Sequence, residues 1–280
     1  MFIALKETLK KCGVVAGDIL YVSSDIKTFL FNAAESLGIN KKDERNQLLN
    51  DFIDCFQETV TDKGTLLFPV FSWDWCRGHG FDVRKTKGEV GTLSNWVLAN
   101  RKDFQRTQHP MYSFMVWGKD AELLKNMSNQ DAWSHSSPFY YFLQNKNAKQ
   151  LLFNIEAFQG LTFGHFVEQE VRVPYRHPKY FFGCYTDENG NTENRMYSMY
   201  VRDIEVESGC NVHNSWLIEN KVATHGIWRD NKMVIVDLAK SYPLIKNDML
   251  NNNGENTLIF TKGKLDWTQN QTVLYEIKGL

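Results

Sequence analysis

The sequence predicts an α/β fold: a mixed central sheet flanked by helices, with an antiparallel C-terminal part. Three observations lead there. The apolar runs ILYVSS (19–24) and TLLFPVF (65–71) read as strands buried on both faces. Between them Leu48, Leu49, Phe52, Ile53, Phe56 and Val60 recur at spacings of three and four, the period of a helix. After Pro174 the runs YFFGCY, MYSMYVRD, MVIVDL, TLIF and VLYEI follow with fewer helices between them. Strand, helix, strand in succession implies a crossover and a parallel pair. Strands following strands imply antiparallel neighbours.

Taken in order, Phe2, Ile3, Leu5 and Leu9 fit one face of a short N-terminal helix. Gly17-Asp18 turns the chain into the first strand, and Lys63-Gly64 ends the helix expected over 44–61. The segment SWDWCRGHGFDVRKTKGEVG (72–91) is long for a connection, a length that usually signals function, and Trp73, Trp75 and Phe81 give it apolar anchors. Leu93, Trp96 and Val97 mark a helix opening near Gly91-Thr92. YSFMVWG (112–118) is a third strand, 120–127 a helix, and KQLLFNI (149–155) a fourth strand. Ser137 and Pro138 read as the N-cap and first residue of another helix. One helix near 239–249 interrupts the later strands. No repeat, low-complexity tract or linker divides the chain, so residues 1–280 are expected to form one domain, with a small second subdomain after Pro174 as the alternative.

Composition narrows the function. The 280 residues are 42% hydrophobic and 14% aromatic, enough for a substantial core. With 32 Lys and Arg against 33 Asp and Glu, the net charge is −1. Broad nucleic-acid binding is therefore disfavoured, and a polyanionic ligand would need a local basic cluster or a helix N-terminus. The five cysteines are scattered and form no CxxC, which argues against a disulfide framework and against a structural zinc site. A reducing cytoplasm is the simplest compartment. The first residues carry no long apolar run, so neither a signal peptide nor a membrane anchor is expected.

Chemistry concentrates in GLTFGHFVEQEVRVPYRHPKYF (160–181). Thr162 is placed to cap a helix that Pro174 stops near Arg172. His165 and Glu168, three apart, share a face; Glu168 and Arg172, four apart, can pair as well. The pair reads either as a general base oriented by a carboxylate or as a polar helix face. A metal site built on it would need further ligands, such as His135 or His109.

Six segments in the same order resemble the aminoglycoside 3-N-acetyltransferase (antibiotic N-acetyltransferase) family over roughly residues 15–180. They are GDILYVSS, GTLLFPVFSW, GFDVRKTKGEVGTLSNWVL, RTQHPMYSFMVWG, SHSSPF and LTFGHFVEQE. The departures are Val22 for a histidine on the first strand, Val70 and Ser72 for the threonines of Pro-Thr-x-Thr, and Thr107 for a serine. The resemblance implies transfer of an acetyl group from acetyl-CoA to an amine of an amino sugar or aminoglycoside, by direct attack in a ternary complex and without a metal. His165 is then the base and Glu168 orients it or the substrate ammonium. Ser23, Ser24, Ser72 and Ser113 match the strand-end hydroxyls expected beside the pantetheine arm, and Gly91-Thr92 offers helix-start N–H donors. His109 is a further candidate on the CoA side. For a cationic acceptor, Asp74 and Asp82 are the candidate contacts, with Trp73 and Trp75 for stacking on sugar faces; Asp82 serves equally to fix its own loop, and Arg172 is a further substrate-binding candidate. The basic cluster Arg77, Arg84, Lys85 and Lys87 is a candidate for phosphate. The first alternative keeps the chemistry and places the amine on a nucleotide-linked sugar for a surface polysaccharide, with that basic loop facing the diphosphate. A metal-dependent hydrolase and a non-catalytic carbohydrate-binding module are the others. The expected partners are small molecules, with neither nucleic acid nor membrane, and a homo-oligomer is left open.

Overall fold

The computed structural model, which describes residues 1–39, 41–261 and 263–267, begins with helix α1 (Phe2–Lys11) and strand β1 (Ile19–Ser24). Helices α2 (Lys27–Leu37) and α3 (Lys42–Val60) cross over to β2 (Thr65–Phe71), which lies parallel to β1 with Ile19 opposite Thr65. Short strands β3 (Phe81–Asp82) and β4 (Gln105–Arg106) flank helix α4 (Thr92–Asn100); β5 (Tyr112–Gly118) then runs antiparallel to β2. Helices α5 (Ala121–Lys125) and α6 (Pro138–Gln144) lead to β6 (Ala148–Phe153), parallel to β1 on its other side. The chain continues through α7 (Ala157–Gly160), α8 (Phe163–Val171), β7 (Arg176–Thr186) and β8 (Thr192–Arg202). It then forms β9 (Ser208–Cys210), α9 (Asn214–Glu219), β10 (Ala223–Trp228), β11 (Asn231–Asp237), α10 (Leu238–Asn251) and β12 (Leu258–Phe260).

The central sheet runs β10-β11-β6-β1-β2-β5-β4, parallel in its middle and antiparallel towards both edges. Each face carries its own core. Along β1, Ile19 and Tyr21 enter one cluster with Phe114, Trp133, Phe139 and Phe142; Leu20 and Val22 enter the other with Phe52, Phe56, Phe153 and Trp228. This two-residue alternation is the strand period, and it explains why β1 reads as an unbroken apolar run.

The C-terminal strands divide where the sequence suggests a single sheet. Only β10 and β11 extend the central sheet. Strands β7 and β8 pair with each other along eleven residues and join β3 in a second sheet, while β9 pairs with β12. The tight turn between β7 and β8 is self-sufficient: the Asp187 carboxylate accepts the N–H groups of Asn189 and Asn191 at 2.9 and 2.8 Å. The run VLYEI lies outside the described residues. In α1, Leu5 and Leu9 are buried but Ile3 is exposed, because at 100° per residue it points away from Leu5. The segment 72–91 contains a 3₁₀ turn at Asp74–Arg77 and strand β3. Trp75 is buried and its Nε1 donates to the Phe181 carbonyl at 3.1 Å. A Cβ at Gly88 would meet the Val70 and Phe71 backbone at 3.1 Å, so the loop returns against β2 more closely than a side chain there would allow without a shift of backbone.

Phe52 stands at the centre of one core, with ring centroids of Phe29, Phe56 and Phe153 at 4.8, 4.9 and 5.4 Å. Phe52→Ala should lower unfolding free energy by about 3–5 kcal/mol, read from urea midpoints. A loss below about 1 kcal/mol would show that the aromatic cluster does not carry this face of the sheet.

Candidate active site

A cavity of about 310 Å³ opens at the carboxyl ends of β1 and β2, beside the start of β5. In open α/β sheets this is the edge where ligands bind. Ser23 and Ser24 end β1, Pro69 and Phe71 come from β2, Gly91 and Ser94 from the start of α4, and Thr162 and His165 from the start of α8. One buried amide ties these parts together. Gln150 of β6 donates through Nε2 to Ser23 Oγ at 2.9 Å and to the Gly160 carbonyl at 2.7 Å, which docks the approach to α8 on the strand end. Thr162 occupies the N-cap, yet its side chain makes no capping hydrogen bond. It turns instead towards Tyr21, whose hydroxyl burial pushes up to about 12 despite hydrogen bonds with Ser23 and Thr162.

His165 presents its ring to this cavity while Nδ1 is hydrogen-bonded to Glu168 Oε2. The histidine side chain is 37% exposed and the glutamate 4%. Tyr175 donates its hydroxyl to Oε1 of the same carboxylate, and Arg176 Nε lies 3.1 Å from that oxygen. Burial alone would push the Glu168 carboxyl up. The adjacent His165 and Arg176 charges and the hydrogen bonds from His165 and Tyr175 outweigh it and hold the group well below its ordinary value. Glu168 is therefore an acceptor at both oxygens, and His165 Nδ1 is the donor. Nε2 is the ring nitrogen that Glu168 does not use. Trp133 packs 5.9 Å from the imidazole, centroid to centroid, and limits its tilt. Burial and the neighbouring carboxylate push the Tyr175 hydroxyl well above its ordinary range, so it remains a proton donor.

The other residues singled out from sequence separate into two groups. Ser23, Ser24 and Gly91 line the cavity with His165. Gly91 has φ +79°, and a Cβ there would approach Ser94 Oγ to 2.8 Å, so this wall is backbone by necessity. Thr92 is the first residue of α4 but is exposed and outside the lining. Ser72, Ser113 and His109 are buried in the framework behind it. Ser72 Oγ accepts from Asp74 N–H and donates towards Glu89. Ser113 Oγ donates to the Val70 carbonyl and accepts from Arg106. His109, pushed down to about 4 by burial, is neutral and accepts the Tyr112 N–H at Nδ1.

Among the acceptor candidates, Asp82 is held to about 2 by its hydrogen bonds with Arg84, including the Arg84 N–H two residues on, which closes an Asx-type turn. Lys85 lies 3.5 Å from the same carboxylate. Asp74 bonds Arg77 and His79, and Arg77 also reaches Glu89 at 2.5 Å. Arg172 is the exposed left-handed residue that ends α8 (φ 55°). It is Arg176, not Arg172, that reaches Glu168, because the helix stops before its last turn can bring Arg172 round. Trp73 lines the cavity, whereas Trp75 is an anchor of the loop.

Tyr175, Arg176 and Gln150 carried no sequence signal; no periodicity links them to His165 or Ser23. A groove of about 810 Å³ also went unread. It is lined by Cys76, Pro174, His177, Lys179, Asp203 and Glu205 among others, with His177 Nδ1 2.6 Å from Asp203 Oδ1. The turn that begins at Trp73 in the cavity ends near Cys76 in the groove, so the two share a wall. Among the described residues no group of three or more His, Cys, Asp and Glu is placed to hold a metal ion. His135 pairs with Glu170 at 3.0 Å and stacks on Tyr140, apart from the His165 pair. Nor is any helix there long and apolar enough to cross a membrane.

The model of the aminoglycoside 3-N-acetyltransferase family matches residues 37–247. No curated protein matches the chain in sequence. Among solved structures, AAC-IIIb, binary with CoASH, superposes with a TM-score of 0.71 at 15% identity, covering 91% of this chain and 98% of that one. The YokD protein from Bacillus subtilis gives 0.67 at 18%, covering 90% and 99%. AAC-VIa with sisomicin bound gives 0.66 at 16%, covering 90% and 97%. At these identities the superpositions establish a shared fold, the mixed sheet with flanking helices.

Glu168 has its pKa depressed on folding from an ordinary 4.5 to about 2. Its contribution to stability is therefore complete above about 4.5 and is lost as the pH falls towards about 2. Glu168→Gln should be less stable than wild type at pH 6, by about 3–5 kcal/mol for a broken buried pair, and should lose less of its remaining stability on acidification. Urea midpoints at pH 6, 4 and 3 test this; parallel acid profiles for the two proteins would disprove it.

Proposed function

The chain belongs to the aminoglycoside 3-N-acetyltransferase family, and on that premise we propose that it transfers acetyl from acetyl-CoA to an amine of an aminoglycoside-type amino sugar, by direct attack in a ternary complex. One observation carries the reading: a histidine lines the strand-end cavity while its far nitrogen is fixed by a buried carboxylate. The pantetheine arm would run past Ser23, Ser24 and the open backbone at Gly91, where the first N–H groups of α4 lack helical partners. The amine, in its neutral form, attacks the thioester carbonyl. Its surplus proton passes to His165 Nε2, and the C–S bond breaks with the electron pair leaving on sulfur. The imidazolium then returns the proton to the thiolate, so the ring ends as it began. Glu168 steadies the ring and balances its transient charge, as a buried carboxylate does in other acid–base pairs.

No acyl-enzyme is needed. Burial raises the Cys76 and Cys210 thiols to about 11, so neither is a ready nucleophile. For the acceptor, the adjoining groove offers Glu205, and Asp203 beside its partner His177, to ammonium groups, although Lys179 and Arg202 share its lining. Those two acids replace Asp74 and Asp82, which the loop itself consumes. The nucleotide-sugar alternative receives less support. Arg77 is taken by Asp74 and Glu89, and Arg84 and Lys85 by Asp82, so the basic loop does not present a cluster of free cations to a diphosphate. Use of acetyl-CoA places the reaction in the cytoplasm.

Release of free thiol from acetyl-CoA tests the reading, with aminoglycosides and nucleotide-linked amino sugars offered separately. Aminoglycoside-dependent release is expected; release with nucleotide sugars alone would overturn the acceptor assignment. His165→Ala should lower kcat by about 10²–10⁴ in a folded protein, the scale of a lost general base. Near-normal turnover in that variant would remove His165 from the chemistry.

A further inference from the structure

Glu168 is almost wholly buried, yet in the proposed cycle its partner His165 is charged for only part of the time. A base must rest neutral. A neutral imidazole gives the carboxylate a hydrogen bond but no counter-charge, and a buried carboxylate without a cation is strongly disfavoured. Such a pair has two ways out. The carboxylate can draw a proton onto the ring, which leaves Nε2 without a lone pair, or a permanently charged third group can take over.

Arg176 is built to be that group. Its Nε lies 3.1 Å from Glu168 Oε1, the oxygen that His165 does not use. Its Nη2 is 3.4 Å from His165 Nδ1, and Nη1 donates to the Tyr200 carbonyl at 3.2 Å, which fixes the guanidinium. The side chain is only 14% exposed. The other ionisable groups that face the pair are neutral. Tyr175, Tyr112, Tyr200 and Cys210 come from four different segments, and burial raises each of them. The Trp133 ring is uncharged, and Arg172 is exposed at the end of α8. Among the described residues, Arg176 is the fixed cation of this buried set.

We propose that Arg176 is a positioning residue, which keeps Glu168 ionised and aimed at Nδ1 while His165 carries no charge, so that Nε2 rests as a free base. The kinetic form of this inference rests on the acetyl transfer proposed above; its titration form does not. The proteins to compare are wild type, Arg176→Gln and Arg176→Lys. The His165 ring is followed by NMR against pH, its signal assigned with His165→Ala, and kcat/KM is measured over the same range. In Arg176→Gln the ring midpoint and the acidic limb of kcat/KM should both move to higher pH, by about one to three units. Arg176→Lys, which keeps the charge, should bring both back towards wild type. A glutamine variant that titrates with wild type overturns the proposal. So does a lysine variant displaced upward by about one unit or more, which decides the matter if the glutamine variant does not fold. Ring midpoints that separate as expected, in a wild type that releases no thiol, would sink the acetyl transfer and leave Arg176 in its role.

Discussion

The site depends on one constraint, that the Glu168 carboxylate stays ionised beneath the protein surface. A buried carboxylate demands donors and charge from several directions at once. Here they come from a histidine on the same helix, a tyrosine just beyond its end and an arginine opening the next strand. The sharp end of α8 makes this possible. Arg172 takes the left-handed conformation, the Val173 N–H closes back on the Glu168 carbonyl, and Pro174 prevents further helix. The chain then doubles back within a few residues, bringing Tyr175 and Arg176 under the helix they have just left. A helix one turn longer would have carried both away from the carboxylate.

The sheet supplies the second requirement, a fixed place for the helix to begin. β1 lies between two parallel partners, and its carboxyl end, at Ser23 and Ser24, opens on the cavity. The Gln150 amide spans this opening's floor, joining Ser23 to Gly160. The cavity is thus framed by regular structure on one side and by a helix start on the other, an arrangement that holds reacting groups more firmly than loops alone.

Much of this was legible in the chain. ILYVSS and TLLFPVF announced themselves because both faces of those strands are buried, and α3 because its stripe of Leu48, Phe52, Ile53 and Phe56 is broad and regular. The His165–Glu168 pair was visible because three-residue spacing fixes a shared helical face. What escaped depends on contacts between distant segments. Arg176 and Arg172 look equivalent as partners for Glu168 until the helix end is known in space. Ser113 and Ser23 are both strand-end serines, yet one faces β2 carbonyls and the other the cavity. Asp74 looked free because the sequence cannot show that Arg77, three residues on, folds back to claim it; for Asp82 the sequence offered a ligand and a loop-fixing turn equally, and Arg84 closes the turn. The grouping of β7 and β8 with β3, apart from the central sheet, was hidden for a similar reason. Strand propensity says that a segment is extended, not which neighbour it chooses.

The partition made by the turn from Trp73 to Cys76 has a consequence for how such a protein can diversify. One flank of the turn belongs to a wall built from strand ends and two helix starts, where side chains such as Tyr21, Phe71 and Tyr112 are also packed into the core and cannot be replaced without disturbing it. The other flank meets the long hairpin, whose outward residues answer to few packing demands. Novelty in what is recognised can therefore accumulate on the hairpin while the opposite compartment keeps its shape, much as interchangeable heads fit a common handle.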